Sequence, residues 1–164
     1  MILSSKEIRN LVNSGVVIVR PFLETHLGPV GVDLTIEPKA LDPDTYQEIR
    51  LFDTPLKPNQ LVLVNSAEYI HLPNFLVGKL INRSSVARLG LLVGLNADMV
   101  EPNFSGKVTF AIKNHSTREI WLKPNLRVAQ LTLEEISSPE IESKTTRYDY
   151  KKPQASDLCE EMIV

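Results

Sequence analysis

Cysteine is almost missing from this sequence: of 164 residues only Cys159 carries a thiol, so no intrachain disulfide can form. Histidine is nearly as scarce. His26, His71 and His115 are too far apart to share a metal-ligand spacing, which argues against a zinc site. No apolar run approaches the ~18 residues of a membrane span, and the opening MILSSKEIRN lacks the charged-then-apolar order of a secretion signal. The expectation is a cytoplasmic protein with no membrane contact. A basic excess is lacking too: 18 Lys and Arg stand against 20 Asp and Glu, for a net charge of −2, which excludes a general nucleic-acid surface. There is no low-complexity tract, no internal repeat and no βαβ spacing, so a parallel nucleotide-binding sheet is not expected.

The chain does have 43% hydrophobic residues, enough for one domain with a real core. Ser4-Ser5-Lys6-Glu7 reads as a capping box. Ile8, Leu11 and Val12 then form an apolar helical face that Gly15 closes, giving a short helix over residues 5–13. From there short β-like runs alternate with Pro, Gly and Asn. They are 16–19, 32–37, 60–64, 68–72, 76–81, 91–95, 107–113, 119–123 and 126–135. Many short strands with recurring turns predict an all-β sandwich or barrel, and Trp121 reads as core or interface packing. After Pro139 the chain turns polar and charged. Residues 1–139 are therefore expected to form the barrel. Residues 140–164 read as a tail, either a plain end or a segment that orders over a ligand.

The stretch from Asn82 to Asn114 carries the chemistry. Arg83-Ser84-Ser85-Val86-Ala87-Arg88 packs two guanidinium groups and two hydroxyls into six residues. If the chain turns helical here, Ser84 or Ser85 is its N-cap and free backbone N–H groups point outward. Such donors beside arginine forks suit a polyphosphate; a capped surface turn with two solvated arginines is the plainer reading.

Arg83-Ser84-Ser85-Val86-Ala87-Arg88-Leu89-Gly90-Leu91 resembles the RSSLARLGL motif of dCTP deaminases, within the trimeric dUTPase/dCTP deaminase superfamily. The likeness extends to MILSSKEI, to Gly28-Pro29-Val30-Gly31-Val32-Asp33-Leu34, and to Leu56-Lys57-Pro58 leading into Glu68-Tyr69. It continues through Val128-Ala129-Gln130-Leu131 to Ser137-Ser138-Pro139. The resemblance implies a distorted β-barrel that forms a homotrimer, with active sites between subunits for a pyrimidine deoxynucleoside triphosphate (dUTP or dCTP). It assigns Arg83, Ser84, Ser85 and Arg88 to the phosphates. The hairpin around Leu95–Val100, with Ala97 and Asp98, goes to the pyrimidine. Asn103, Phe104, Thr109, Phe110 and Ala111 also fall at the substrate. Asp33 lies either near the Mg²⁺–triphosphate or in a purely structural bond, and Mg²⁺ is held through the triphosphate rather than by direct protein ligands. Phe104 packs either under the deoxyribose or in the core. In the tail, Arg147, Tyr148 and Lys151 resemble the deaminase segment that folds over the nucleotide.

The two reactions of this superfamily need different carboxylates. Deamination without a zinc-bound water requires a base that activates water and shuttles its proton to the departing ammonia. The family places a glutamate there, where this chain has Ala111. Diphosphatase chemistry needs a carboxylate that activates water against the α-phosphorus, and Glu101 stands at the position the dUTPase pattern gives to aspartate. A methyl group cannot take a proton, so the expectation is a dUTP diphosphatase with Glu101 as base. The alternatives are a dCTP deaminase, native or with its catalytic glutamate replaced at Ala111, and a non-catalytic nucleotide-binding trimer.

Overall fold

The computed structural model of the chain describes residues 1–138, and its first element is set by local chemistry. Helix α1 spans Ser5–Asn13. The Ser4 N–H and hydroxyl donate to the Glu7 carboxylate at 2.8 and 2.7 Å, closing the expected capping box. These bonds favour the ionised acid, so the Ser4 hydroxyl first and its N–H second hold Glu7 below its ordinary value. Gly15, at φ +76°, ends the helix, and Ile8 fixes it to the core with no exposed surface.

The remaining elements are β1 (Ile18–Arg20), β2 (Leu27–Gly28), β3 (Gly31–Leu41), β4 (Glu48–Arg50), β5 (Leu61–His71), β6 (Leu76–Asn82), helix α2 (Ser84–Ala87), β7 (Leu91–Val93), β8 (Met99–Val100), β9 (Ser105–Asn114) and β10 (Arg127–Glu135). They form one antiparallel sheet with the order β7-β9-β5-β3-β10-β6-β8; β1 pairs with β5, and β2 and β4 pair with β3. Laid flat, seven strands would hold the outer two about 29 Å apart at ~4.8 Å per strand. The chain from Val93 to Met99 reaches only about 20 Å when fully extended. The sheet must therefore curl until its ends approach, and this is the distorted barrel that the sequence predicts. One hydrogen bond crosses the seam, Asn82 Nδ2 to Leu91 O at 3.0 Å; Gly94 N to Ala111 O at 2.9 Å and Leu80 N to Asp98 O at 2.7 Å extend the β7–β9 and β6–β8 pairings on either side of it.

Burial alternates strictly along β9. Gly106, Val108, Phe110, Ile112 and Asn114 point inward, while Lys107, Thr109, Ala111 and Lys113 face out, half-buried. The inward set packs on Val62 and Val64 of β5 and on the wider aliphatic core. No helix among the described residues is long and apolar enough to cross a membrane.

Several expectations change. Residues 60–64 and 68–72 are one strand, bent where its register with β9 shifts between Asn65 and Tyr69. The bend satisfies its own polar groups. Ser66 Oγ donates to Glu68 O at 2.6 Å and accepts from Val108 N at 3.0 Å. The Glu68 carboxylate, itself buried, accepts from Thr35 N and Oγ1 at 3.0 and 2.7 Å. Residues 119–123 are not a strand: only Ile120 bridges to Leu56. Trp121, expected inside or at an interface, is 57% exposed in the chain, which removes the core reading.

Candidate active site

Everything that the sequence assigns to phosphate hangs on the end of β6. Arg83 is extended (φ −67°, ψ 134°) and is the N-cap of α2, without a side-chain cap bond. Ser84 and Ser85 thus occupy the first two helical positions, not the cap. The correction has a physical cause: Arg83 N still bonds Val128 O of β10 at 3.3 Å, so the helix starts only after it, with Arg83 O accepting from Val86 N and Ala87 N at 2.9 Å; its side chain meanwhile reaches toward β3 and β10. Its Nε lies 3.3 Å from Asp33 Oδ2 and its Nη1 donates to Arg127 O at 3.3 Å. Val86, buried to 1%, nails the short helix down, leaving Ser84, Ser85 and Arg88 exposed. Gly90 (φ +90°) then turns the chain so tightly that an added Cβ would sit 2.7 Å from Ser116 Cβ.

The pyrimidine hairpin follows. Gly94, Leu95 and Asn96 all have positive φ, a sharp turn that puts Ala97 and Asp98 at an exposed tip. This turn begins at residue 111, through the bond from Gly94 N to Ala111 O. Arg83–Arg88, the hairpin and Ala111 therefore gather around the seam. Ala111 pairs with Leu63, and its methyl shares the outer face of β9 with Thr109 and Lys113. Thr109 Oγ1 donates to Asn65 Oδ1 at 2.9 Å, leaving the buried Asn65 Nδ2 without a partner among the described residues. Phe110, expected at the substrate, is fully buried in the core, so its ring cannot touch a ligand.

Glu101 is not brought to this cluster. It directly follows Val100, which pairs with Gly78. From Gly78 to Arg83 runs about 17 Å of extended strand, so one chain holds its carboxylate and its phosphate ligands at opposite ends of β6. Asn103 (φ +63°) turns the chain after Glu101, and Phe104 packs partly against the core. Arg147, Tyr148 and Lys151 lie outside the described residues. Among the described residues no three His, Cys, Asp or Glu side chains could hold a metal ion together.

Asp33 forms ion pairs within the chain. It is 7% exposed and lies between Arg83 and Arg127, whose Nη1 is 3.2 Å from Asp33 Oδ2. Sequence reading passed over Arg127. Its only signal is a cation at the start of β10, two residues from where Gln130 and Ala129 pair with Asp33 and Leu34.

The comparisons fit this architecture. A family model described as dCTP deaminase-like matches residues 2–136. The "dCTP deaminase, dUMP-forming" of Coprothermobacter proteolyticus is 32% identical over 152 residues, covering 82% of this chain and 82% of that protein. Among solved structures, the 2'-deoxycytidine 5'-triphosphate deaminase of Agrobacterium tumefaciens superposes with a TM-score of 0.67 at 19% identity; the match covers 80% of this chain but only 46% of that one. A mutant dUTPase from phage phi11 of S. aureus, described as coordinating a structural Mg(II) ion, gives a TM-score of 0.52 at 17% identity, over 81% of this chain and 99% of that one. The fold is thus shared with both enzyme types. The name carried by the relative overturns the expectation of a diphosphatase confined to dUTP, which rested on Ala111 in place of a glutamate and on Glu101 at the dUTPase position. By its sequence from end to end of the barrel, the chain belongs to the dCTP deaminase-like family.

Proposed function

We propose that this chain converts dCTP to dUMP, releasing ammonia and pyrophosphate and consuming two waters, as a homotrimer with its sites between copies. The observation that carries the reading is the seam. Two arginines, two serine hydroxyls, the hairpin of residues 94–98 and residue 111 converge there, in a chain of the dCTP deaminase-like family.

Arg83 and Arg88 suit phosphate oxygens by charge-assisted hydrogen bonds, and the backbone of the hairpin suits the edge of the pyrimidine. In this reading Glu101, exposed at the far end of β6, serves a neighbouring copy's nucleotide by activating water against the α-phosphorus. This division of labour is the argument for an oligomer. Mg²⁺ would sit on triphosphate oxygens, where it neutralises charge, because the described residues offer no protein cage. The amine-releasing half is the weaker half: Ala111 has no proton acceptor, so the attacking water is activated without help from that position.

The test is to supply dCTP with Mg²⁺ and record ammonia, pyrophosphate and dUMP together. All three products are expected. Pyrophosphate from dUTP with no ammonia from dCTP would sink the reading, as would tight dCTP binding without either product.

A further inference from the structure

We propose that Asn65 and Thr109 together hold the water that attacks the pyrimidine, in place of the carboxylate that residue 111 does not supply. The chemical step rests on the dCTP reading above. The water site rests on hydrogen bonding alone.

Among the described residues only two buried side-chain polar atoms lack a partner, Asn65 Nδ2 and Asn82 Oδ1. Asn82 has already committed its amide to Leu91 O, and a carbonyl oxygen is the commoner exception. A buried N–H donor without an acceptor is rare, and it marks an internal water or a functional contact. Asn65 has no exposed surface. The polar groups of the adjoining bend are engaged elsewhere: Ser66 Oγ with Glu68 O and Val108 N, and the Glu68 carboxylate with Thr35.

Thr109 supplies the other half. Its Oγ1 donates its one proton to Asn65 Oδ1 at 2.9 Å, so the hydroxyl keeps only lone pairs for anything else. The pair therefore offers one water a donor for its oxygen, Asn65 Nδ2, and an acceptor for a proton, Thr109 Oγ1. Such polar partners are what an internal water requires. Thr109 is half-buried on the outer face of β9, and Ala111 follows on that face, about 6.8 Å along the strand. Ala111 O in turn holds Gly94 N, where the pyrimidine hairpin begins.

With its oxygen fixed there, the water adds to C4 of the pyrimidine. The C4–O bond forms as one proton passes to ring N3. The second proton passes to the amino nitrogen as the C4–N bond breaks, ammonia leaves and the C4 carbonyl closes. One water is consumed, one ammonia is released, and no side chain changes its protonation state. Asn65 and Thr109 thus position the water, and the ring itself takes the proton.

Two measurements test this. A high-resolution crystal structure of the full chain should show a water about 2.7–3.2 Å from both Asn65 Nδ2 and Thr109 Oγ1. An amide without that water would overturn the proposal, whatever the chain does with dCTP. Ammonia release from dCTP with Mg²⁺ is then followed beside pyrophosphate release from dUTP and thermal unfolding. Thr109→Val should lower kcat for ammonia by about 10-fold, the rate equivalent of one hydrogen bond, with KM for dCTP little changed. Thr109→Ser should recover most of the loss. Asn65→Leu combined with Thr109→Val removes the orphan donor together with its neighbour, so the melting temperature should hold or rise while ammonia release stays low. In the Ala111→Glu background Thr109→Val should cost less, since a carboxylate then holds the water. An unchanged kcat for ammonia in Thr109→Val would overturn the proposal. Equal falls in ammonia and pyrophosphate release would overturn it too, by making the pair structural. A wild-type chain that holds the water yet releases no ammonia would instead remove the proposed reaction and keep the water site.

Discussion

Replacing Asn114 by Asp changes one atom and should cost most of a small domain's margin of stability. Asn114 has no exposed surface. Its amide donates to Leu56 O and Arg118 O, both at 2.8 Å, and its carbonyl accepts from Ser116 N and Oγ at 3.0 and 2.7 Å. Aspartate keeps the shape and the acceptor side but turns the donors into an anion facing two carbonyl oxygens. Both carbonyls keep a second donor, Ile120 N on Leu56 O at 3.0 Å and Ser116 Oγ on Arg118 O at 3.1 Å, so each loss is near the lower end of about 1–3 kcal/mol per broken bond. With the buried charge added, the deficit should reach about 3–5 kcal/mol at pH 7, or roughly a 10 °C fall in melting temperature. Urea unfolding with an unchanged m-value is the assay. The sign of the pH dependence is fixed as well. Burial opposite two acceptors raises the folded pKa of the new carboxyl above its unfolded value near 3.9. The relief from protonation is then complete below that value and lost as pH rises through the folded one, so the deficit should shrink toward pH 4. A change under about 1 kcal/mol would refute the reasoning that this amide pins the 114–118 turn.

Gly90→Ala should destabilise by about 2–3 kcal/mol in the same assay, because φ is +90° and the new methyl would meet Ser116 Cβ at 2.7 Å; an unchanged midpoint would refute the close approach. Ser4→Ala should return the Glu7 titration, followed by NMR, toward its ordinary 4.5. The share of stability that Glu7 draws from the hydroxyl, present above that value and lost as pH falls through the folded one, should go with it, while the share from the backbone N–H remains. Ala111→Glu should raise ammonia release from dCTP by about 10²–10⁴, with the new side chain reaching out from the half-exposed face of β9; no increase would mean that position 111 does not face the pyrimidine. Glu101→Gln should cut pyrophosphate release by a similar factor while leaving dCTP affinity near its starting value, measured by stopped-assay turnover and calorimetry.

What could be read from the sequence was what neighbours in the chain decide. Ser4, Glu7 and Gly15 fix α1 to the residue because caps act within one turn, and the alternation in 107–113 follows from the two faces of a single strand. The halves of β5 were read apart because Asn65, Ser66 and Ala67 interrupt the apolar run, whereas the bend is held by hydrogen bonds to Glu68 and Val108 that only the fold brings together. Residues 119–123 carry a strand pattern, and Ile120 and Leu122 are indeed buried. Yet Asn125 takes a positive φ and only one residue finds a partner strand. Ser84 and Ser85 resemble caps because serine favours that position, but the cap falls to Arg83, whose N–H still bonds Val128 O on β10, a long-range bond that no local pattern announces. The distance between Glu101 and Arg83 was equally invisible, since it depends on which end of β6 each one meets.

The order of the sheet differs from the order of synthesis. β10 is the last described strand to emerge from the ribosome, yet it lies in the middle, between β3 and β6. Until residue 135 is made, those two strands present facing, unsatisfied edges to the crowded cell, the arrangement most prone to pairing with another chain. Contacts such as Asp33 with Arg127 join residues far apart in sequence, which slows the closing step. A nonsense codon anywhere before Arg127 should therefore yield an open, aggregation-prone half-sheet rather than a smaller working protein.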